Sequence, residues 1–149
     1  MLSRGLKVKE PVYTVLSRNP DRACLTEEYQ FKTGIRGFSG ELLEEIDRCE
    51  LRSYGTLVVY PGFIWDFGSG EIFGQDISID DRSMRTASLA HDALCRMTDR
   101  RVVPWKVRRK ADAYFRRVLR ICGSPFVRAW WCWAMVRAYS MTRALRTKK

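Results

Sequence analysis

The sequence predicts an α+β protein in which a small antiparallel sheet, formed by the N-terminal half, packs against a three-helix C-terminal cluster. Two observations favour this class. Residues 1–80 are rich in glycine, turn-forming residues and short apolar runs, which is typical of short strands. Residues 83–146 show helical periodicity interrupted at Pro104 and Gly123, so three helices are expected there. We expect residues 1–149 to form a single domain, because this length suits one hydrophobic core.

Strands are predicted at residues 12–16, 29–33 and 56–60, where short apolar runs lie between turn-forming residues. The third of these runs is followed by a Pro61-Gly62 turn and by a second short strand. The segment 41–49 fits a helical turn and an irregular strand equally well, so its structure is left open.

Helices are predicted over three ranges, residues 84–98, 105–122 and 126–145. Asp81 or Ser83 can cap the first helix with a side-chain oxygen. Proline is favourable at the first turn of a helix, because its missing N–H is not needed there. Pro104 and Pro125 therefore mark the beginnings of the second and third helices, and Gly123 ends the second.

The third predicted helix is apolar around most of its circumference, and it contains Trp130, Trp131 and Trp133. A helix of this kind is usually buried among other elements, so we expect its tryptophans to belong to the core. The alternative is an interfacial helix, with aromatic side chains in the headgroup layer of a membrane and basic side chains on anionic lipid.

The positive charge is concentrated in the last third of the chain. Residues 1–99 contain 12 basic and 16 acidic side chains, whereas residues 100–149 contain 15 basic side chains and one acid, Asp112. This asymmetry favours contact of the Arg-rich residues 100–149 with a polyanion, which would be a nucleic acid, a cell-wall polymer or an anionic membrane surface. A set of solvated helix faces is the alternative.

Composition and motifs count against several classes of protein. The five cysteines are odd in number and form no C-x-x-C pair, so neither a disulfide framework nor a zinc ribbon is expected. The sequence lacks a P-loop, a dinucleotide-binding glycine motif, an H-E-x-x-H motif and a G-x-S-x-G motif. No apolar run reaches about 18 residues, and the N-terminus lacks the apolar segment of a signal peptide. Neither a transmembrane segment nor a signal peptide is therefore expected.

Five side chains are candidates for catalysis: His91, Asp92, Asp66, Asp112 and Ser69. His91 is the only histidine of the chain. Paired with Asp66 or Asp112, it could orient a metal or act as a general base. With Ser69 as a nucleophile, it could complete a Ser/His/Asp arrangement. Asp66 lies between aromatic and glycine residues, where a carboxylate is costly to bury unless it is hydrogen-bonded or faces a site.

Each candidate also has a structural interpretation. A lone histidine on the apolar face of a helix is more often a hydrogen-bonded core residue than a ligand. Asp112 has Arg108 and Arg116 at four-residue spacing on either side, which is typical of a surface salt bridge. The side chain of Asp66 can cap the turn that follows it. Together, the carboxylates and the imidazole would also suffice for a buried polar network that fixes a loop against two helices.

Three short motifs occur in order along the chain: Gly62-Phe63-x-x-Asp66-x-x-Ser69, His91-Asp92-x-Leu94 and Ala111-Asp112-x-x-Phe115. In their order and rough spacing over residues 55–140, the chain resembles a phage and prophage family called domain of unknown function 1353. The resemblance implies a phage origin and a common α+β fold, and it singles out Asp112, but it supplies no reaction. The chain departs from the family pattern by Trp65 in place of threonine, by Cys95 in place of an aromatic residue and by lacking a proline after Ser69.

From the residues and the resemblance we expect a phage- or prophage-encoded protein of the host cytoplasm or the virion. The first hypothesis is a hydrolase that acts on an anionic polymer, either cell wall or nucleic acid. His91, Asp66 and Asp112 would activate water or hold one divalent metal ion, with Asp92 or Ser69 assisting. The alternatives are a non-catalytic virion or assembly component in contact with phage structural proteins, and a nucleic-acid-binding accessory protein.

Overall fold

The computed structural model describes residues 9–16, 19–66 and 82–147. Within these ranges the N-terminal part forms short strands and the C-terminal part forms helices, which confirms the predicted α+β class. The strands are β1 (Tyr13–Leu16), β2 (Asn19–Leu25), β3 (Tyr29–Lys32), β4 (Gly40–Leu42), β5 (Cys49–Leu51), β6 (Thr56–Val59) and β7 (Ile64–Trp65). The helices are α1 (Arg82–Asp99), α2 (Val107–Ile121) and α3 (Phe126–Thr147), and a 3-10 turn covers Glu45–Asp47.

The described strands form two small antiparallel sheets rather than the single sheet that the sequence predicts. One sheet has the order β1-β2-β7 and the other has the order β3-β6-β5-β4. They separate at the Pro61-Gly62 turn, because β6 and β7 on either side of this turn pair with different strands. Gly62 has a φ of +99°, a conformation that favours glycine, and its N–H donates to the carbonyl of Leu25 at 2.7 Å. The chain therefore passes from one sheet to the other within a few residues.

The strands predicted at residues 12–16, 29–33 and 56–60 correspond to β1, β3 and β6, and each observed strand is one residue shorter. Sequence patterning misses β2, because its first residues, Asn-Pro-Asp, are unfavourable in strands. The undecided segment 41–49 contains the end of β4, the 3-10 turn and the beginning of β5. Both of the interpretations offered for it are therefore correct in part.

All three helices begin and end within two residues of their predicted bounds. The N–H of Val107 donates to the carbonyl of Pro104 at 3.0 Å, so this proline precedes the first turn of α2. Gly123 has a φ of +97°, and the next N–H donates back to Leu119 at 2.9 Å, which ends α2 as predicted. Ser83 lies inside α1 rather than at its cap, and Asp81 lies outside the described residues.

The helix α1 is central in the fold. Ala87, Ala90 and Ala93 are completely buried, and their small side chains allow close approach to α2 on one side and to β4, β6 and β7 on the other. In turn, α2 contacts both α1 and α3. Because α2 lies between the other two helices, polar side chains from all three can meet around its buried face.

A buried carboxylate fixes α1 to the neighbouring strands and turn. Asp47, in the 3-10 turn, accepts hydrogen bonds from Arg96 Nη1 at 2.6 Å and from Arg100. The guanidinium of Arg96 also donates to the carbonyl of Ile46 at 3.1 Å and to the carbonyl of Ile64 in β7. These bonds set the position of the C-terminal half of α1 relative to β7.

The expectation that the α3 tryptophans belong to the core is wrong for two of the three. Trp130 is 41% exposed and Trp131 is 52% exposed. The buried side chains of α3 form only a narrow stripe, at Ala129, Cys132, Val136 and Ser140. Because α3 is an outer layer that packs on α2, the apolar side chains beyond this stripe stay at the surface. Among the described helices, none combines the length and the hydropathy needed to cross a membrane.

Candidate active site

His91 of α1 and Asp112 of α2 form the centre of the candidate site. His91 Nε2 lies 2.6 Å from Asp112 Oδ1. Asp112 is 0% exposed and His91 is 9% exposed. A carboxylate that is buried to this degree is stable only when it is hydrogen-bonded or paired with a cation. The structure thus brings together one of the two histidine–carboxylate pairs considered in the sequence analysis.

Two side chains of α3 complete the surroundings of Asp112. Arg137 Nη1 donates to Oδ2 at 2.9 Å, and Ser140 Oγ donates to Oδ1 at 3.3 Å. These two residues are three apart on α3 and therefore share a face. The interpretation of Asp112 as a surface salt-bridge partner is wrong, because the carboxylate is buried and its partners come from other helices.

The arginines four residues before and after this aspartate bind elsewhere. The guanidinium of Arg108 is buried, and it donates to Ser140 Oγ at 3.1 Å and to Asp99 Oδ1 at 3.0 Å. Arg116 points the other way, and its guanidinium lies 4.4 Å from the ring centre of Trp130. Arg108 therefore contacts Ser140, a partner of Asp112, rather than Asp112 itself. Arg116 packs against the surface of α3.

Cys95, which the sequence analysis does not propose for the site, lies beside His91. Its sulfur is 3.5 Å from Nε2 and 3.7 Å from Nδ1 of the imidazole. Both residues are on α1 and are one turn apart, so their side chains share a face. This four-residue spacing is the signal in the sequence that could have indicated the contact.

A cleft of about 240 Å³ opens next to the His91–Asp112 pair. Asp66 and Asp92 line it together with His91 and Cys95. Its volume is below the roughly 300–1,000 Å³ of typical ligand pockets, so it admits a small reacting group rather than a whole large ligand. Basic and aromatic side chains complete the lining, among them Arg96, Arg108, Phe115, Tyr139 and Arg143.

Four of the five predicted site residues therefore lie together. His91, Asp92 and Asp66 line the cleft, and Asp112 lies behind the imidazole. Ser69 lies outside the described residues, as does the turn that Asp66 would cap. Sequence reasoning did not find Arg137 and Ser140, although they are polar residues three apart in a largely apolar helix, which is a spacing that can indicate a buried polar face.

The carboxyl group of Asp92 has a higher pKa than an ordinary aspartate. Burial raises the pKa of Asp92 to about 6, the negative charge of Asp66 adds to the increase, and the guanidinium of Arg96 opposes it. Arg96 Nη2 lies 3.6 Å from Asp92 Oδ2. A carboxyl group with this pKa is ionised at neutral pH and is still basic enough to accept a proton, as a general base must.

The surroundings of His91 also raise its pKa, which favours the protonated imidazole. Burial alone lowers the pKa of His91, but the nearby Cys95 sulfur and the hydrogen bond to Asp112 outweigh burial and raise the pKa. The buried carboxylate is the counter-charge that stabilises an imidazolium. The site therefore favours a histidine that carries a proton next to an aspartate that can accept one.

The hydrogen bonds of the site bear on whether it could hold a metal. Among the described residues, one atom each of His91, Cys95 and Asp112 lie within 4.8 Å of one another, whereas the predicted ligand set has Asp66 in place of Cys95. Both oxygens of Asp112 already accept hydrogen bonds, one of them from the Arg137 cation at 2.9 Å. A guanidinium in this position repels a second cation at the same carboxylate. The geometry therefore favours a hydrogen-bonded acid–base pair over a divalent metal site.

A second hollow of about 560 Å³ lies beyond the C-terminal end of α1. Val102, Val103, Pro104 and Trp105 contribute to its lining, and it shares Asp99 with the smaller cleft. None of the predicted site residues lines it. The smaller cleft is therefore the one that carries the candidate chemistry.

Asp92 is expected to make the protein less stable as the pH rises from about 4 to about 6. Its pKa of about 6 in the folded chain exceeds the ordinary aspartate value of about 3.9 in an unfolded chain. The folded state therefore binds more protons within this window, so stability falls with rising pH, by about 1–3 kcal/mol in total. Urea unfolding of Asp92→Asn at several pH values should show this slope removed.

The exposed Glu41 supplies a matched control for that measurement, because Glu41→Gln changes a carboxylate to an amide at the surface. We expect Glu41→Gln to keep the slope of the unmodified protein. A slope that survives in Asp92→Asn would show that the carboxyl of Asp92 has an ordinary pKa.

The sequence profile of a family described as protein of unknown function (DUF1353) matches residues 41–136, which is more than half of the 149 residues. The chain belongs to this family. The predicted family is thereby confirmed, whereas the three motifs and the phage origin stay predictions. Searches of curated proteins and of solved structures each found no match.

The DUF1353 match extends from β4 into α3 and includes Asp66, His91, Asp92 and Asp112. The α3 partners of Asp112 lie directly after the matched range. Because the description of the DUF1353 family assigns no activity, the function has to be inferred from the site itself.

Proposed function

We propose that this DUF1353 protein is a hydrolase that acts through the cleft beside His91 and Asp92. The observation that supports the proposal is the placement of a buried histidine–aspartate pair next to a second carboxyl group with a pKa of about 6. Neighbouring groups whose surroundings shift their pKa values apart are typical of acid–base sites.

In the proposed reaction Asp92 is the general base. Its carboxylate takes a proton from a water molecule while the water oxygen attacks the bond to be broken, and the electrons of that bond pass to the leaving group. Asp66, whose negative charge contributes to the raised pKa of Asp92, strengthens Asp92 as a base. The proton gained by Asp92 returns to solvent after the bond is cleaved.

His91 is the proposed proton donor to the leaving group, and it takes up a proton from solvent before the next turnover. Asp112 acts as a positioning residue, because it holds Nε2 of the imidazole at 2.6 Å and balances the charge of the imidazolium. Arg137 and Ser140 in turn hold the carboxylate of Asp112 from α3. Preorganised contacts of this kind avoid the cost of rearrangement during the reaction.

The positive charge of residues 100–149 supports an anionic polymer as the substrate. Residues 100–149 carry 15 basic side chains and one acid, and that acid, Asp112, is buried. Two arginines of the cleft, Arg143 and Arg96, have side chains that are 41% and 26% exposed. The cleft itself would take only the linkage to be cleaved, and the basic surface would hold the rest of a cell-wall polymer or nucleic acid.

A second candidate is a nucleic-acid-binding accessory protein without catalysis. The exposed side of α2 presents a basic row at Arg109, Lys110, Arg117 and Arg120. Such a row would contact phosphates, and binding would weaken steeply with salt because counterions are released. No exposed aromatic residue lies among these positions on α2, so stacking on bases has little support.

The proposal is tested with dye-labelled peptidoglycan and with fluorescein-labelled DNA and RNA as separate substrates. We expect the unmodified protein to release label from one of them, Asp92→Asn to lose that activity and Glu41→Gln to keep it. The pH profile should rise through a pKa near 6 as Asp92 ionises.

No release from any substrate, or full activity in Asp92→Asn, would contradict the hydrolase proposal. Salt-dependent binding of DNA or RNA without cleavage would instead support the accessory role. In that case substitution of Arg117 and Arg120 by glutamine should weaken binding and reduce the salt dependence.

A further inference from the structure

The surface of α3 that points away from α2 is apolar along its whole length. We define the outer α3 face by the exposed side chains that follow one another at helical spacing, Phe126, Val127, Trp130, Trp131, Ala134, Ala138, Met141 and Leu145. Val127 is 78% exposed and Leu145 is 69% exposed. The 22 residues of α3 extend over about 33 Å at 1.5 Å per residue.

Packing within the described structure gives this face no role in the core. The buried stripe of α3, from Ala129 to Ser140, lies on the other side of the helix and contacts α2. Single exposed apolar side chains are common, but a contiguous apolar surface with two tryptophans is typical of a binding surface. The exposure of this face therefore favours the other interpretation of the third predicted helix, that of an interfacial helix.

The chemistry at the edges of the outer α3 face identifies what could cover it. The guanidinium of Arg116 lies 4.4 Å from the ring centre of Trp130, and that of Arg120 lies 5.8 Å from the ring centre of Phe126. On the other edge, α3 itself carries Arg128 and Arg146. Residues 113–149 contain no aspartate or glutamate, so no negative side chain of α3 lies on this surface.

We propose that the outer α3 face binds the surface of an anionic lipid bilayer, with α3 lying in the plane of the interface. Apolar side chains would enter the boundary between headgroups and acyl chains, and Trp130 and Trp131 would lie at headgroup level. The flanking arginines would contact lipid phosphates. This combination of an apolar face, tryptophan and basic edges is the one that interfacial helices use.

Charge distinguishes this occupant from a second copy of the chain. Two copies that met through the outer α3 face would bring their basic edges together, and like charges at an interface oppose association. A bilayer that contains anionic lipid offers an apolar layer to the apolar side chains of the face and negative charge to the flanking arginines.

Vesicle flotation tests the proposal with vesicles of phosphatidylcholine and phosphatidylglycerol in equal parts and with vesicles of phosphatidylcholine alone. We expect the unmodified protein to float with the anionic vesicles at low salt and to bind neutral vesicles more weakly. The double variant Trp131→Gln/Met141→Gln should weaken partitioning by about tenfold or more, because it removes two exposed apolar side chains from the face.

A matched double variant, Leu43→Gln/Tyr54→Gln, removes two exposed apolar side chains outside α3 and should bind as the unmodified protein does. Quenching of tryptophan fluorescence by brominated lipid should accompany binding and should be reduced in the Trp131→Gln/Met141→Gln variant.

No flotation with anionic vesicles would overturn the proposal, as would equal binding by the two double variants. A dimer in sedimentation equilibrium that the α3 variant dissociates, without vesicle binding, would assign the face to a second copy instead. Folding of each variant is checked by far-ultraviolet circular dichroism, and substitutions at exposed positions are expected to preserve it.

Discussion

Replacing Asp112 by alanine is expected to lower the free energy of unfolding by about 3–5 kcal/mol, the range for breaking a buried ion pair by removing one partner. The carboxylate accepts hydrogen bonds from Arg137 and Ser140 and contacts His91, and it is completely buried. Its removal leaves an arginine and a protonated histidine facing each other without a counter-charge. Urea unfolding followed by circular dichroism measures the change.

Glu44→Ala is the matched control for this experiment. Glu44 also contacts an arginine, Arg100 at 3.2 Å, but the side chains of Glu44 and Arg100 are 67% and 40% exposed. Ion pairs at the surface contribute about 0–1 kcal/mol, so the loss should be much smaller. Equal losses for Glu44→Ala and Asp112→Ala would show that burial of Asp112 does not determine its importance.

Replacing His91 by glutamine is expected to reduce hydrolysis by about 10²–10⁴-fold, the usual contribution of a positioned acid–base group. Glutamine retains a hydrogen-bonding side chain, but it cannot donate a proton to a leaving group at neutral pH. The change is measured as kcat on the substrate that the peptidoglycan, DNA and RNA assays identify.

Ser140→Ala separates this catalytic role from a structural one. It removes the hydrogen bond to Asp112 Oδ1 and the acceptor of the buried Arg108 Nε and leaves His91 in place, so it should cost about 1–3 kcal/mol of stability with only a small effect on kcat. If His91→Gln lowers stability but leaves kcat unchanged, the His91–Asp112 pair is a structural network rather than a proton-transfer site.

Local sequence signals predict the helices well because their ends depend on nearby residues. Pro104 and Gly123 act within their own turns, and the helix bounds agree with the structure to within two residues. The sequence of a helix does not determine whether that helix is central or peripheral in the fold. The apolar circumference of α3 suggests burial, yet only the neighbouring helix α2 decides which of its side chains are covered. Trp130 and Trp131 are therefore at the surface.

Local sequence signals also do not determine how the strands pair into sheets. Each predicted strand forms, but the sequence around Pro61-Gly62 does not reveal that β6 and β7 pair with different partners. Strand β2, which pairs with β7, begins with residues of low strand propensity and is stabilised by its neighbours on both sides.

The candidate site could be predicted in part because its chemically distinctive residues are few. A single histidine and an isolated acid in a basic region, His91 and Asp112, attract notice without a structure, and they prove to be in contact. The spacing of Asp112 from Arg108 and Arg116 suggested local pairing instead. Packing of three helices overrode that pattern, because the carboxylate faces α1 and α3 and finds its partners there.

Nuclear magnetic resonance titration of the imidazole tests most directly whether Asp112 holds His91 as a proton donor beside the cleft. His91 is the only histidine, so its signals need no assignment among others. We expect a pKa above the ordinary value of about 6.5 in the unmodified protein and a lower pKa in Asp112→Asn. A pKa at or below the ordinary value that Asp112→Asn does not change would contradict the claim.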